Sequence, residues 1–343
     1  MDYRISIVIA ILLAISPVIH SIDFEDYDED VAALLREYQN QSNPEQSYTP
    51  SILSYSTAKT SKTIVDFERG IIYMNASTPE TLRDAIIDVV LTQIDPSVID
   101  AQTAIDFGLI NEETNKPFFW GQVLDHKGKP ISSRRPALDF ANFLLRKKTF
   151  SDGRFEVTIR MIDAHKKIAG AKYVSFVKAA CREYSVSSSL VMAIMETESS
   201  FNPLARSRSN ALGLMQVKAN TAGRDYFSLI KGYKHTPSSK FLYSPKNNIE
   251  VATGYLNILS SRYLRGIEDP KKLEYAMISS YNGGAGNLWK SLDKSGNKTK
   301  ALKRINQMST KQFYWFLTNR HIRQETREYL KKVNDRKSKY TLI

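Results

Sequence analysis

Residues Met195–Gln216 read METESSFNPLARSRSNALGLMQ. The stretch begins on the last turn of an apolar helix, breaks at Phe201-Asn202-Pro203, and ends in the small run Ala211-Leu212-Gly213-Leu214-Met215-Gln216. On the helix, Leu190, Val191, Ile194 and Glu198 recur at spacings of three and four, which puts Glu198 on the apolar face one turn beyond Ile194. Glu196 falls off that face, beside Met192. Desolvation disfavours the charged form of a buried carboxyl and raises its pKa. A carboxylic acid still protonated near neutral pH is what a general acid requires. An arbitrary helix-end glutamate more often caps or pairs locally, so the neighbourhood has to decide.

That neighbourhood is unusual. Ala211–Leu214 offers small residues that let backbone approach closely, and Gln216 brings an amide. Further on comes Ser279-Ser280-Tyr281-Asn282-Gly283-Gly284-Ala285-Gly286, a phenol and an amide just before a glycine cluster at a helix end. Carboxylic acid, amides, phenol and glycine-lined walls suit a saccharide groove, which needs hydroxyl-matching donors and acceptors plus one proton donor.

Outward from this stretch, the text is helical from about Asp163 to the end. Helices are predicted over Ala171–Tyr184, Leu190–Glu198, Ile249–Leu264, Lys272–Tyr281, Asn287–Lys290, Ala301–Asn306, Thr310–Asn319 and Glu325–Val333. No strand pattern interrupts them, and residues 164–343 read as a mostly or wholly α domain. Residues 61–163 mix the two periodicities. A hairpin is predicted around Glu68-Arg69-Gly70, with alternation over Thr63–Ala76. A helix over Pro79–Ile94 is capped by Ser77-Thr78-Pro79-Glu80. A strand is predicted over Phe118–Asp125, a helix over Leu138–Leu145, and a strand over Phe155–Ile162. This is a small α+β domain, and its Phe118-Phe119-Trp120 cluster is read as core rather than as a ligand platform.

Residues 22–60 read as a lead-in and linker, acidic at Asp23–Asp30, with one short helix at Val31–Leu35. Residues 1–21 have the form of an export signal: Arg4, an apolar run Ile5–Ile19, and a cleavage site at Ile19-His20-Ser21. The run is shorter than the roughly 20 residues a spanning helix needs, which leaves an uncleaved anchor as the lesser alternative. The one cysteine of the 343 residues, Cys181, sits in a helix and reads as a small buried hydrophobe. It excludes an internal disulfide, and no cysteine follows the signal to carry a lipid. Net charge is +12. From Ala171 onward there are 30 Lys and Arg against 12 Asp and Glu, so the C-terminal half meets something negative: nucleic acid, an acidic membrane surface or an acidic polymer such as a wall.

Five blocks in order carry a family resemblance: Glu198-Ser199 with Phe201-Asn202-Pro203, Ser207, Ala211–Gln216, Tyr281-Asn282-Gly283-Gly284, and Glu325-Thr326-Arg327-Glu328-Tyr329. Together they resemble the lytic murein transglycosylases with a lysozyme-like soluble-transglycosylase domain. The likeness is strongest to a membrane-bound subgroup with a preceding α+β domain and a lipid-modified cysteine that this chain lacks. The resemblance implies an α+β N-terminal domain followed by an all-α lysozyme-like catalytic domain. It implies cleavage of the MurNAc-β-1,4-GlcNAc bond of peptidoglycan with 1,6-anhydromuramoyl products. It makes Glu198 the single acid, later base. Ser207, Met215, Gln216, Tyr281, Asn282 and Tyr329 would bind substrate, with Tyr281 near Glu198. It implies no cofactor, the periplasm or cell envelope as location, and possible peripheral contact with a membrane or with other wall proteins.

That no other acid in these blocks plausibly serves as the second agrees, since ordinary glycosidases use two carboxylates, whereas one suffices when the substrate's own hydroxyl attacks. Three alternatives remain. A goose-type hydrolytic lysozyme would need a second acid or a positioned water, for instance through Asp225. A non-catalytic wall-binding protein would have no need of Glu198. A nucleic-acid binder is prompted by charge alone and opposed by the export signal. The five histidines show no ligand spacing, so no metal is expected.

Overall fold

The structure, a computed structural model, describes residues 49–57, 61–92 and 116–343. The export signal, the acidic run and the Val31–Leu35 helix lie outside the described residues.

The N-terminal sheet is antiparallel throughout, in the order β1-β2-β3-β5-β4, built from β1 (Ile52–Thr57), β2 (Ser61–Asp66), β3 (Ile71–Ala76), β4 (Thr149–Ser151) and β5 (Arg154–Arg160). The predicted hairpin joins β2 to β3. Its turn is fixed by the Asp66 carboxylate, which accepts the N–H groups of Glu68 and Arg69 at 2.8 and 2.9 Å and the Arg69 guanidinium at 2.8 Å. Gly70 completes the turn at φ +68°. Helix α1 (Pro79–Leu91) starts as its cap predicts, with the Thr81 N–H donating to the Thr78 hydroxyl and Pro79 in the first turn. It packs against α2 (Arg134–Leu145) and β3, enclosing Val65, Ile72, Met74, Leu82, Ile86, Phe119, Phe140 and Ile159.

Two expectations are corrected here. Phe118–Asp125 is a series of turns with isolated bridges Trp120↔Val123 and Leu124↔Pro130, not a strand. Its apolar residues are core, with the Phe119 ring stacked on Phe67 and edge-on to Phe118, and a short apolar run has no period that tells strand from packed turn. The segment read as linker to residue 60 contains β1, paired with β2 from Ile52↔Asp66 to Thr57↔Ser61. Its Ser-and-Thr-rich text is that of an edge strand.

The C-terminal domain comprises α3 (His165–Ala171), α4 (Val174–Tyr184), α5 (Ser188–Ser199), α6 (Arg224–Tyr226), α7 (Ser239–Tyr243), α8 (Pro245–Ile258), α9 (Pro270–Gly283), α10 (Ala285–Leu292), α11 (Lys298–Gln307), α12 (Thr310–Arg320) and α13 (Gln324–Lys337). A two-residue hairpin, β6 (Ala211–Leu212) with β7 (Val217–Lys218), is its one departure from helix among the described residues. Helix α5 is the central element, packed on α4 and α13. Leu190 through Glu196 are buried without a break, as in a helix enclosed on every side. Cys181 is buried, as expected.

Candidate active site

Helix α5 ends in two consecutive non-glycine residues with left-handed backbone, Ser200 at φ +52° and Phe201 at φ +66°. Such conformations cost about 1–3 kcal/mol each and persist where the surroundings over-determine them. Here Phe201 is fully buried, and Gly170 lies so close that a Cβ there would sit 2.9 Å from its ring. The Ser199 hydroxyl donates to the Leu214 carbonyl at 2.7 Å, tying the helix end to the following loop. Gly213 (φ +74°) brings that loop against α8, where a Cβ would meet the Asn248 amide at 2.4 Å and the Leu242 carbonyl at 2.7 Å. The Asn248 side chain accepts from the Met215 N–H at 2.8 Å and donates to the Leu212 and Leu242 carbonyls at 2.8 and 2.7 Å. Met215 is thereby turned so that its carbonyl receives the Tyr281 hydroxyl at 2.7 Å.

Glu198 opens onto a groove of about 470 Å³. Pro50, Ser51 and Glu68 of the N-terminal domain line one side. Thr197, Glu198 and Ser200 contribute from α5 and its end, Asn282 from α9, and Glu325, Glu328, Tyr329, Lys332 and Arg336 from α13. The Tyr329 hydroxyl donates to Glu198 Oε1 at 2.7 Å. Burial pushes the Glu198 carboxyl up to about 7. The Tyr329 hydrogen bond opposes this, the Glu325 charge adds to it, and Lys218 opposes it. Burial, with the Glu198 charge adding, also raises the Tyr281 and Tyr329 phenols well above their usual range, so both remain neutral donors.

Of the residues singled out in the sequence, Glu198, Asn282 and Tyr329 meet at this groove. Asn282 is held from both ends, its Oδ1 accepting from the Thr326 hydroxyl at 2.7 Å and its Nδ2 donating to Glu325 at 3.3 Å. Tyr329, rather than Tyr281, bonds Glu198 directly. Ser207, Met215 and Gln216 do not line this groove. Ser207 accepts the Ala211 N–H at 3.0 Å. Gln216, left-handed at φ +49°, donates through Nε2 to the Ala205 and Gly213 carbonyls at 3.0 Å each. Its Oε1 is buried without a hydrogen-bond partner.

Glu196 stays off the groove, as its helical phase implies, yet it is enclosed. It is only 1% exposed, because α5 has no free face, and its carboxylate is met by Lys339 at 2.8 Å and the Tyr340 hydroxyl at 2.7 Å. Of the α13 face, sequence reasoning named Tyr329 but missed Lys332 and Arg336. Glu325, Tyr329, Lys332 and Arg336 recur at three and four, one helix face, but in a Lys-rich tail that reads as solvated. The three further carboxylates of the groove are each paired: Glu68 with Lys166 and Arg336, Glu325 with Arg323, and Glu328 with Lys331. Asp225 accepts from the Tyr263 hydroxyl at 2.9 Å and is not among the lining residues.

Residues 29–172 match the family model described as the N-terminal domain of membrane-bound lytic murein transglycosylase C, and residues 175–303 match the transglycosylase SLT domain. Over 301 residues the chain is 41% identical to the membrane-bound lytic murein transglycosylase C of Edwardsiella ictaluri, covering 85% of this chain and 82% of that one. The chain belongs to the membrane-bound lytic murein transglycosylase C family. The transglycosylase C of Salmonella typhimurium is equally similar, at 41% over 297 residues, 84% of this chain and 81% of that one. Among solved structures, the 70 kDa soluble lytic transglycosylase of Escherichia coli matches with a TM-score of 0.37 at 25% identity, over 49% of this chain and 24% of its own. Glu198, Asn282 and Tyr329 all follow the residues that match the N-terminal family model. Among the described residues no helix is long and apolar enough to cross a membrane.

Proposed function

We propose that this protein is a lytic transglycosylase of the cell envelope that cleaves the MurNAc-β-1,4-GlcNAc bond of peptidoglycan, with Glu198 as general acid and then base. The observation that carries the reading is a carboxyl poised at about 7, hydrogen-bonded through one oxygen to Tyr329 and facing a groove. That hydrogen bond holds Oε1 and leaves Oε2 for the proton. Protonated Glu198 gives its proton to the glycosidic oxygen as the C1–O bond breaks. The resulting carboxylate takes the proton of the muramoyl C6 hydroxyl, whose oxygen bonds to C1 and closes the 1,6-anhydro ring. No water is consumed, and a pKa near neutrality suits both proton transfers. Asn282 offers an amide at the groove. Tyr281 braces the Met215 carbonyl through its hydroxyl and lies within electrostatic reach of Glu198. Residues 1–21 would export the chain. Its partner is the glycan strand, with no nucleic acid.

Mass spectrometry of muropeptides released from purified sacculi tests this. Anhydromuramoyl ends are expected, and reducing ends in their place would turn the reading to hydrolysis. Tyr329→Phe removes a hydrogen bond that lowers the Glu198 pKa, so the alkaline limb of its kcat profile should move up from about 7. Its turnover should fall about tenfold, equivalent to about 1.4 kcal/mol. A limb that stays in place would remove Tyr329 from the role assigned to it.

A further inference from the structure

We infer that Arg336 is a positioning residue for Glu198: its guanidinium clamps the last turn of α5 to the hairpin turn of the N-terminal domain. This rests on the reading of Glu198 as the acid. Arg336 Nη1 donates to the Glu196 carbonyl at 2.8 Å, and Nη2 donates to Glu68 Oε1 at 2.8 Å. The other oxygen of Glu68 accepts the Ser200 hydroxyl, and Lys166 at the domain junction holds Glu68 Oε1 at 2.8 Å. Residues 196 and 200 bracket Glu198. One guanidinium–carboxylate pair therefore fixes the chain on both sides of the acid, with half of that pair supplied by the turn between β2 and β3. A planar fork with two set directions of donation does this as a flexible ammonium does not.

The buried Glu196 carboxylate anchors the other end of the clamp. By holding Lys339 and Tyr340, it pins the turn that follows α13 and so the Arg336 side chain. The left-handed Ser200 lies inside this frame, so the strain at the end of α5 is held by contacts from the N-terminal domain. Docking of that domain thus orients the acid. It governs turnover more than substrate affinity.

The test uses the full chain carrying Arg336→Lys, Arg336→Ala or Glu68→Gln, assayed on sacculi together with hydrogen exchange of the amides at residues 197–202. Expected is a fall in kcat of about tenfold or more for both Arg336 variants, since small misplacement of a catalytic group is costly, with KM within about twofold of the parent. Millimolar guanidinium should restore part of the turnover to Arg336→Ala but not to Arg336→Lys, whose ammonium occupies the space. Glu68→Gln should lose turnover in the same direction but less. Exchange at 197–202 should quicken in all three without substrate present. Full activity in Arg336→Lys, or a raised KM at unchanged kcat, would make Arg336 a charge or a substrate contact and overturn the clamp. If the parent protein itself released no anhydromuropeptides, the proposed function would fail, while the exchange measurement would still decide the clamp: quicker exchange supports it and unchanged exchange ends it.

Discussion

Glu198→Gln should abolish the release of anhydromuropeptides from sacculi. General acid–base catalysis by one positioned group contributes roughly 10²–10⁴ in rate, and here the same carboxyl serves both proton transfers. Glutamine keeps the size of the side chain and an oxygen to accept from Tyr329 (2.7 Å in the parent), so the groove should stay in shape while the proton is lost. Activity within about tenfold of the parent protein would place the proton transfers on another group.

The same substitution has a second, opposite effect. The Glu198 pKa is raised from 4.5 to about 7 in the folded protein. Between those values the native state binds more protons than the unfolded state, so stability falls as pH rises through that window and stays lowered above it. Removing the carboxyl should leave the protein no more stable at pH 4 and more stable at pH 8. The gain is on the order of 2 kcal/mol once discounted for the water in the open groove. Urea unfolding of both proteins at the two pH values measures it. Equal stabilities at pH 8 would mean that the acid is not desolvated.

Legibility of this site in the sequence followed periodicity. The hairpin at Glu68–Gly70 and the cap of α1 are local chemistry, and both formed as read. Glu198 was found by helical phase and by its neighbours. Yet phase alone does not show that Glu196 is buried, because seven consecutive buried residues leave α5 without an outer face, and an enclosed helix hides a carboxylate only if cations come to it. Those cations, Arg336, whose Nε lies 3.7 Å from Glu196 Oε1, and Lys339, are some 140 positions away. No local pattern announces such a pairing. Likewise β1 is short, mixed text (Ile52-Leu53-Ser54-Tyr55-Ser56-Thr57) that becomes a strand by pairing with β2, and Glu68 enters the groove only because two domains meet there. Spacing within α13 was visible in principle, but a Lys-rich helix end has a more ordinary explanation in solvated charge.

Asn248→Ala should be the most damaging change outside the groove itself. In sequence Asn248 is one of two adjacent asparagines in Lys246-Asn247-Asn248-Ile249, with nothing to mark it. In the fold it is completely buried and makes all three of its hydrogen bonds to backbone groups, two of them in the loop that holds Gly213 and Met215. Alanine would leave the Met215 N–H and the Leu212 and Leu242 carbonyls without this partner. Each buried unsatisfied group costs about 1–3 kcal/mol, and a water entering the vacated space would recover part of that. A net loss of about 3 kcal/mol follows, or about 6–12 °C in the Tm of a domain this size. Asn248→Asp separates the two halves of the interaction. It keeps the acceptor for Met215 but turns a second oxygen toward two carbonyls, so it should be as unstable as the alanine variant at pH 8 and should regain stability in acid, where a protonated carboxyl can donate. Turnover should fall in both, because the Met215 carbonyl that receives Tyr281 is placed by this one amide. A variant with unchanged Tm would mean that the loop is held by its own backbone alone, which the left-handed, non-glycine Gln216 makes an unfavourable way to hold it.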